Sequence, residues 1–181
     1  MIFTPTPIEG AWLVDPEPLA DERGFFARTV CVDAFAERGL NGRFVQQSVS
    51  RNTRAGIVRG MHLQYEPAGE DKLVRVTTGS VFDALLDLRP YSASYRQWFS
   101  VELSAHNQRA LYIPRGVAHG FQTLTELSEV FYQMTVPFAP AHSGGVRWDD
   151  PETGIAWPPC ASRLVSAKDM ALPRLAAARA Y

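Results

Sequence analysis

Strand-forming runs follow one another along this sequence so closely that almost no room is left between them for helices. The runs are Ile8–Val14, Phe25–Cys31, Phe44–Asn52, Ile57–Gln64, Lys72–Thr78, Ser80–Arg89, Trp98–Leu103, Arg109–Ile113, Gly120–Thr123 and Glu129–Val136. Each is short, rich in β-branched and aromatic residues, and closed by Gly, Pro, Asn or Ser. A parallel α/β fold would interleave helices, so the pattern predicts an all-β sandwich or barrel. One short helix is expected at Val32–Arg38, where Asp33 can cap and Gly39 can stop it, and a second in the alanine-rich tail after Pro173. No repeat, linker or internal boundary divides the chain. Residues 1–181 read as one domain, with the tail from about residue 170 peripheral.

A chain of 181 residues, 46% of them hydrophobic, can bury a core without covalent staples. Cys31 and Cys160 are too few for a disulfide framework, in keeping with a reducing compartment. The net charge of −1 supplies no global field for nucleic acid or a membrane surface, so an anion would have to be met by local arginines. Met1–Gly10 lacks the basic and apolar regions of a signal peptide, and no stretch approaches the roughly 18 apolar residues of a membrane span. The expectation is a soluble, cytoplasmic protein with neither nucleic acid nor membrane as a partner.

Two strands carry more than a core pattern. In Ser80–Arg89, Phe82, Ala84, Leu86 and Leu88 share one face, while Asp83 and Asp87 share the other with Val81 and Leu85. In Glu129–Val136, Tyr132 falls on the face of Val130, Met134 and Val136. Such a tyrosine is either a core residue hydrogen-bonded to backbone or a hydroxyl placed in a barrel cavity.

The segment Arg59–Gln64 (RGMHLQ) brings a guanidinium, a glycine and an imidazole within four residues, and Lys72 follows on the next strand. Strict alternation would put Arg59 and His62 on opposite faces. A bulge at Gly60 would return them to one side. Further on, IPRGVAHGF (Ile113–Phe121) resembles the second conserved motif of the cupin superfamily, and Gly56–Gln64 resembles a degraded first one. A metal-binding cupin supplies three histidines and a carboxylate. Here Gln64 replaces one histidine, and Glu66, Glu70 and Asp71 are near the carboxylate window without clear placement. Two imidazoles make a poor transition-metal site, so no metal is expected.

The resemblance becomes specific over a longer span. DERGFF (Asp21–Phe26), FVQQSVS (Phe44–Ser50), RGMHLQ, KLVRVTTGSVFD (Lys72–Asp83), DLRPYSASYRQW (Asp87–Trp98), ELSAHNQRALYIPRGVAHGFQTL (Glu102–Leu124), EVFYQMT (Glu129–Thr135), RWDDPETGIAWP (Arg147–Pro158) and LVSAKDM (Leu164–Met170) follow in order. Together they resemble the dTDP-4-dehydrorhamnose 3,5-epimerase family. That resemblance implies a cupin-type jelly-roll barrel with a few short helices, no metal and no cofactor. It further implies a homodimer with strand exchange and a dTDP-linked 4-keto-6-deoxy sugar as substrate.

By the same resemblance each residue acquires an expected role. His62 matches the base that removes a proton beside the ketone, and imidazole as a class titrates near working pH. Asp169 matches the carboxylate that orients it. Lys72 matches the cation at the C4 oxygen, where charge develops. Tyr132 matches the acid on the far face. Arg23 and Arg59 match diphosphate contacts, as suits arginine's planar fork, and Gln46 and His119 match polar lining. Arg23, Phe26 and their strand are expected to cross into a partner subunit. Phe138 stands at the aromatic lid over the thymine, where many relatives carry tyrosine.

Ser48, where many relatives have asparagine, and Arg28, where many have an acidic residue, also lie at positions expected to touch the nucleoside. The carrier and the number of inverted carbons, C3 and C5 or only one, are left open. A metal-dependent cupin enzyme and a non-catalytic sugar-nucleotide-binding cupin are the other readings.

Overall fold

Strand Ser80–Asp87 divides the hydrophobic interior in two, and the rest of the fold is arranged around that division. In the computed structural model, which describes residues 1–181, Val81 and Leu85 point into one cluster, and Ala84, Leu86 and, just past the strand, Leu88 into another. The strands are β1 (Ile2–Pro5), β2 (Trp12–Asp15), β3 (Leu19–Asp21), β4 (Gly24–Phe26), β5 (Gln46–Asn52), β6 (Ile57–Gln64), β7 (Lys72–Thr78) and β8 (Ser80–Asp87). They continue with β9 (Trp98–Ser104), β10 (Ala110–Ile113), β11 (Val117–Thr123), β12 (Ser128–Met134), β13 (Ser143–Gly145) and β14 (Leu164–Val165). Two helices, α1 (Val32–Ala36) and α2 (Ala167–Met170), are each about one turn long.

One sheet runs β1-β2-β10-β7-β12-β5 and the other β13-β6-β11-β8-β9, with β14 added to β6. Their facing sides supply the first core: Val74, Val76, Leu111, Ile113 and Val130 from one sheet, Val81, Leu85, Leu103, Val117 and Phe121 from the other. This is the all-β, two-sheet architecture expected from the strand pattern. The second core lies behind β8, under Val146, Ile155, Trp157 and the C-terminal segment. The third lies outside the first sheet, where Phe35 of α1 is fully buried against Phe3, Phe44 and Tyr112. Each such buried side chain contributes roughly 1.5–3 kcal/mol.

Neither β5 nor β6 contributes to the core between the sheets. Gln46, Ser48 and Ser50 of β5 and Arg59 and His62 of β6 line a cavity there instead. The fold is a sandwich closed by apolar packing at one side and open to polar chemistry at the other.

Several expected bounds shift. Helix α1 ends at Ala36, short of Arg38, and its N-cap is Cys31 with no side-chain cap, so Asp33 sits in the first turn. The run Phe25–Cys31 is a strand only to Phe26, because its sole partner is the short β3. Ile8 lies in a turn around Gly10 (φ 76°), and the strand begins at Trp12. Past Pro173 the tail forms one 3-10 turn, Leu175–Ala177, rather than a helix. That tail, expected to be peripheral, packs on the second core: Leu175 is buried and the Tyr181 hydroxyl donates to Glu66 Oε1 at 2.6 Å.

Candidate active site

The bulge inferred at Gly60 is present and sets the geometry of the site. Across β6 and β11, His62 pairs with His119 and Arg59 with Phe121, so Gly60 and Met61 together oppose the single residue Gly120. Gly60 has φ 133°, and a Cβ there would stand 2.5 Å from Gly120 Cα. Only glycine allows this approach. The extra residue brings Arg59 and His62 to the same cavity.

The carboxylate beside His62 arrives from far along the chain. β14 pairs in parallel with Ile57 and Val58 of β6, and α2 follows it, capped by Ser166. This places Asp169 Oδ1 2.7 Å from His62 Nε2, while Oδ2 accepts from the Gly60 amide at 3.3 Å. Burial pushes the Asp169 carboxyl up, but the hydrogen bond and charge of His62, with help from Gly60 and Ser166, outweigh it and hold it below its ordinary value. With Nε2 engaged, Nδ1 is the imidazole nitrogen left for a substrate proton.

Lys72 and Tyr132 come from the opposite sheet, on the neighbouring strands β7 and β12. The Lys72 ammonium is 3.0 Å from Glu70 Oε1 and largely buried. Glu70 Oε2 in turn accepts from Gln64 Nε2 at 3.0 Å, and Gln64 Oε1 accepts from the Ala139 amide at 2.5 Å. The positions near a cupin's metal ligands are therefore occupied otherwise: Gln64 ties strand to loop, Glu70 is a counter-ion, and Asp71 meets Arg115. The Tyr132 ring packs against the edge of the first core and lines the cavity 5.9 Å from the His119 ring. Burial and the Asp83 charge raise its hydroxyl well above the ordinary value, so it keeps its proton across the neutral range.

The cavity encloses about 560 Å³ and brings together His62, Lys72, Tyr132, Asp169, Gln46, Ser48, Arg59, His119 and Phe138. That volume suits a small-molecule ligand. Gln46 Oε1 accepts from the Phe138 amide at 2.9 Å, setting that half-exposed ring at the cavity rim. Arg23 and Phe26 do not reach the cavity of their own chain. They stand on the exposed β3–β4 hairpin, where Arg23 pairs with Asp21 and Phe26 is 75% exposed. Arg28 lies off the cavity as well, beside Cys31.

No motif in the sequence points to a role for Asp83, which the fold sets against His119. It is fully buried with both carboxylate oxygens 2.9 Å from His119 Nε2. Burial pushes its carboxyl up, while His119 and Lys72 pull it back. The available signal was its place on the apolar face of β8. Lys168 and Ser143 line the cavity itself, whereas Asp83 reaches it only through His119.

Comparisons with known proteins bear on the family and the fold. The family model described as dTDP-4-dehydrorhamnose 3,5-epimerase matches residues 5–177. A dTDP-4-dehydrorhamnose 3,5-epimerase of Salmonella typhimurium is 40% identical over 176 residues, covering 97% of this chain and 96% of the relative. The solved 3,5-epimerase of Legionella pneumophila, in complex with dTDP-4-keto-L-rhamnose, superposes with a TM-score of 0.91 at 34% identity, covering 97% of this chain and 93% of that one. A 3′-monoepimerase from Streptomyces bikiniensis in complex with dTDP-quinovose gives 0.89 at 31% identity, covering 95% and 87%. The shared architecture is the cupin-type jelly roll that the motifs imply.

Proposed function

The chain belongs to the dTDP-4-dehydrorhamnose 3,5-epimerase family, and from that premise we propose that it converts dTDP-4-dehydro-6-deoxy-D-glucose to dTDP-4-dehydro-L-rhamnose by inverting C3 and C5. The observation that carries this reading is the placement of an imidazole–carboxylate pair on one sheet and a phenol on the other, across one cavity. Inversion needs a base on one face and an acid on the opposite one.

In the reaction His62 takes the proton from the carbon beside the ketone, and the C–H electron pair moves into an enolate whose charge rests on the C4 oxygen. Lys72 faces that oxygen, a contribution worth about 10²–10³ in rate for donors of this kind. Tyr132 then gives its proton to the carbon from the other face. Protons returned through solvent restore both groups, so nothing is consumed but stereochemistry. Asp169 keeps Nδ1 of His62 directed at the sugar.

Arg59 takes the diphosphate, Phe138 stacks on the thymine, and Gln46, Ser48 and His119 complete the polar lining. A second copy of the chain supplies Arg23 and Phe26. The β3–β4 hairpin supports this, since it pairs with no other strand and leaves Leu19, Phe25 and Phe26 uncovered. An exposed apolar ribbon of this kind is a surface for a partner. The enzyme works as a cytoplasmic homodimer without a cofactor.

Incubation with dTDP-4-keto-6-deoxyglucose in D2O, followed by NMR, tests the reading. Deuterium at C3 and C5 is expected. Label at one carbon only would assign a mono-epimerase, in line with the likeness to the 3′-monoepimerase. Binding without label would leave a sugar-nucleotide-binding protein.

A further inference from the structure

Several arginines in this chain are neutralised by an acidic side chain: Arg23 by Asp21, Arg89 by Asp87, Arg109 by Asp15, Arg147 by Asp149. Arg59 is held differently. Its Nε donates to Asn52 Oδ1 at 2.9 Å, a neutral acceptor, and the residue lines both the cavity and an adjoining groove beside Asn52. Asn52 is itself 1% exposed and does not line that cavity. Its amide has no freedom to turn, because Nδ2 donates to the backbone carbonyls of Ser50 at 3.0 Å and Ser128 at 3.3 Å. Oδ1 is thereby the atom that must meet Arg59. Asn52 and Ser128 are cross-strand partners on β5 and β12, so the anchor is part of the sheet.

We propose that Asn52 is the positioning residue that aims Arg59 at the substrate's diphosphate while leaving its charge unspent. The proposal rests on the reading of Arg59 as the diphosphate ligand. A guanidinium carries five N–H donors, and a single neutral acceptor uses one of them. A carboxylate at the same place would take two in a fork and offset the charge that an incoming diphosphate needs. The neutral amide supplies direction without competition. Orientation matters because Arg59 and His62 flank the same bulge, so the anion's seat and the base are set by one strand.

The test is a double-mutant cycle read by dTDP calorimetry and steady-state kinetics. Asn52→Ala is expected to raise the dTDP Kd and the substrate KM about tenfold, with kcat within about twofold of wild type. Asn52→Asp keeps the shape and is expected to weaken binding further at low ionic strength; it takes the place of the alanine variant should that one fail to fold. In an Arg59→Ala background, Asn52→Ala should change the Kd by less than about twofold, since its route of action is gone. Full additivity in that background, or a fall in kcat with unchanged KM, overturns the proposal, as either marks a general structural role. Unchanged dTDP affinity in Arg59→Ala alone overturns the diphosphate reading and the proposal with it. A loss in Arg59→Ala beside wild-type affinity in Asn52→Ala overturns the proposal alone.

Discussion

His62 Nε2 and Asp169 Oδ1 lie 2.7 Å apart although 107 residues separate them in the sequence. One strand accounts for the meeting. β6 carries His62 near its end and, at Ile57 and Val58, pairs with the two-residue β14 that leads into α2. The imidazole and the carboxylate are thus placed by the same backbone, and the Gly60 amide ties Asp169 to the bulge as well. Displacement of β14 would carry Ser166, Lys168 and Asp169 away from His62 together.

Removing the carboxylate's charge should therefore cost catalysis and little affinity. Asp169→Asn is expected to lower kcat about 10²–10⁴-fold, since an amide no longer selects the imidazole tautomer, with the dTDP Kd close to wild type. His62→Ala should abolish solvent exchange at both carbons. Exchange followed by NMR in D2O decides this, and a near wild-type rate in His62→Ala would remove His62 as the base.

Tyr132 faces His62 from the other sheet, and in the proposed reaction the two groups act at different moments. Tyr132→Phe is expected to slow net inversion more than it slows deuterium wash-in, because abstraction by His62 survives. Its raised pKa adds a pH expectation: the phenol holds its proton beyond its ordinary value of 10.0. No alkaline fall in kcat from Tyr132 should therefore occur below about pH 10. Equal slowing of both processes would place Tyr132 outside the proton delivery step.

Much of this is legible in the residues, for identifiable reasons. The bounds of β6 and β7 can be read directly because both strands are long, apolar and set off by turns. The bulge is legible because a glycine interrupts a strand between two functional side chains. The short strands β1, β3, β13 and β14 are not, because two to four residues hold no period. Nor is α2 apparent from any apolar pattern, although Ser166 three residues before Asp169 has the spacing of a cap. Glu70 stands only two residues before Lys72, but it lies in the turn ahead of β7, where no strand period says which way its side chain faces. Arg23 and Phe26 come from the family likeness, and nothing in a single chain gives them a place at the site.

Gly60 makes a sharper test of the bulge than its neighbours do. Gly60→Ala must accommodate both a positive φ and a Cβ set 2.5 Å from Gly120 Cα and 3.0 Å from the His119 carbonyl oxygen, backbone atoms that cannot swing away. Gly39→Ala shares the positive φ with open space around it. The expected loss at Gly39 is about 1 kcal/mol with normal activity, and at Gly60 about 3 kcal/mol or more with loss of activity. Urea melts and kinetics on both variants check it. Equal costs would mean that the β6–β11 approach is not tight.

Asp83 and Asp87 occupy one face of one strand, both fully buried, yet their carboxyls shift in opposite directions. The difference lies in donors. Asp83 meets one imidazole and burial wins. At Asp87 burial also pushes upward, but Arg89 Nε at 2.9 Å and Nη2 at 2.8 Å, the Arg89 amide at 3.0 Å, and the hydroxyls of Ser92 and Ser94 at 2.6 Å overcome it. Asp87→Asn leaves the Arg89 charge buried without its partner and should cost about 3–5 kcal/mol at pH 7. A folded-state value below the unfolded one means this stabilisation is complete above the unfolded value near 3.8 and is lost as pH falls through the folded value. The stability gap between wild type and variant should therefore narrow between pH 7 and pH 3 in urea melts. A gap that stays constant across that range would show that the Asp87 charge is not what the donors hold in place.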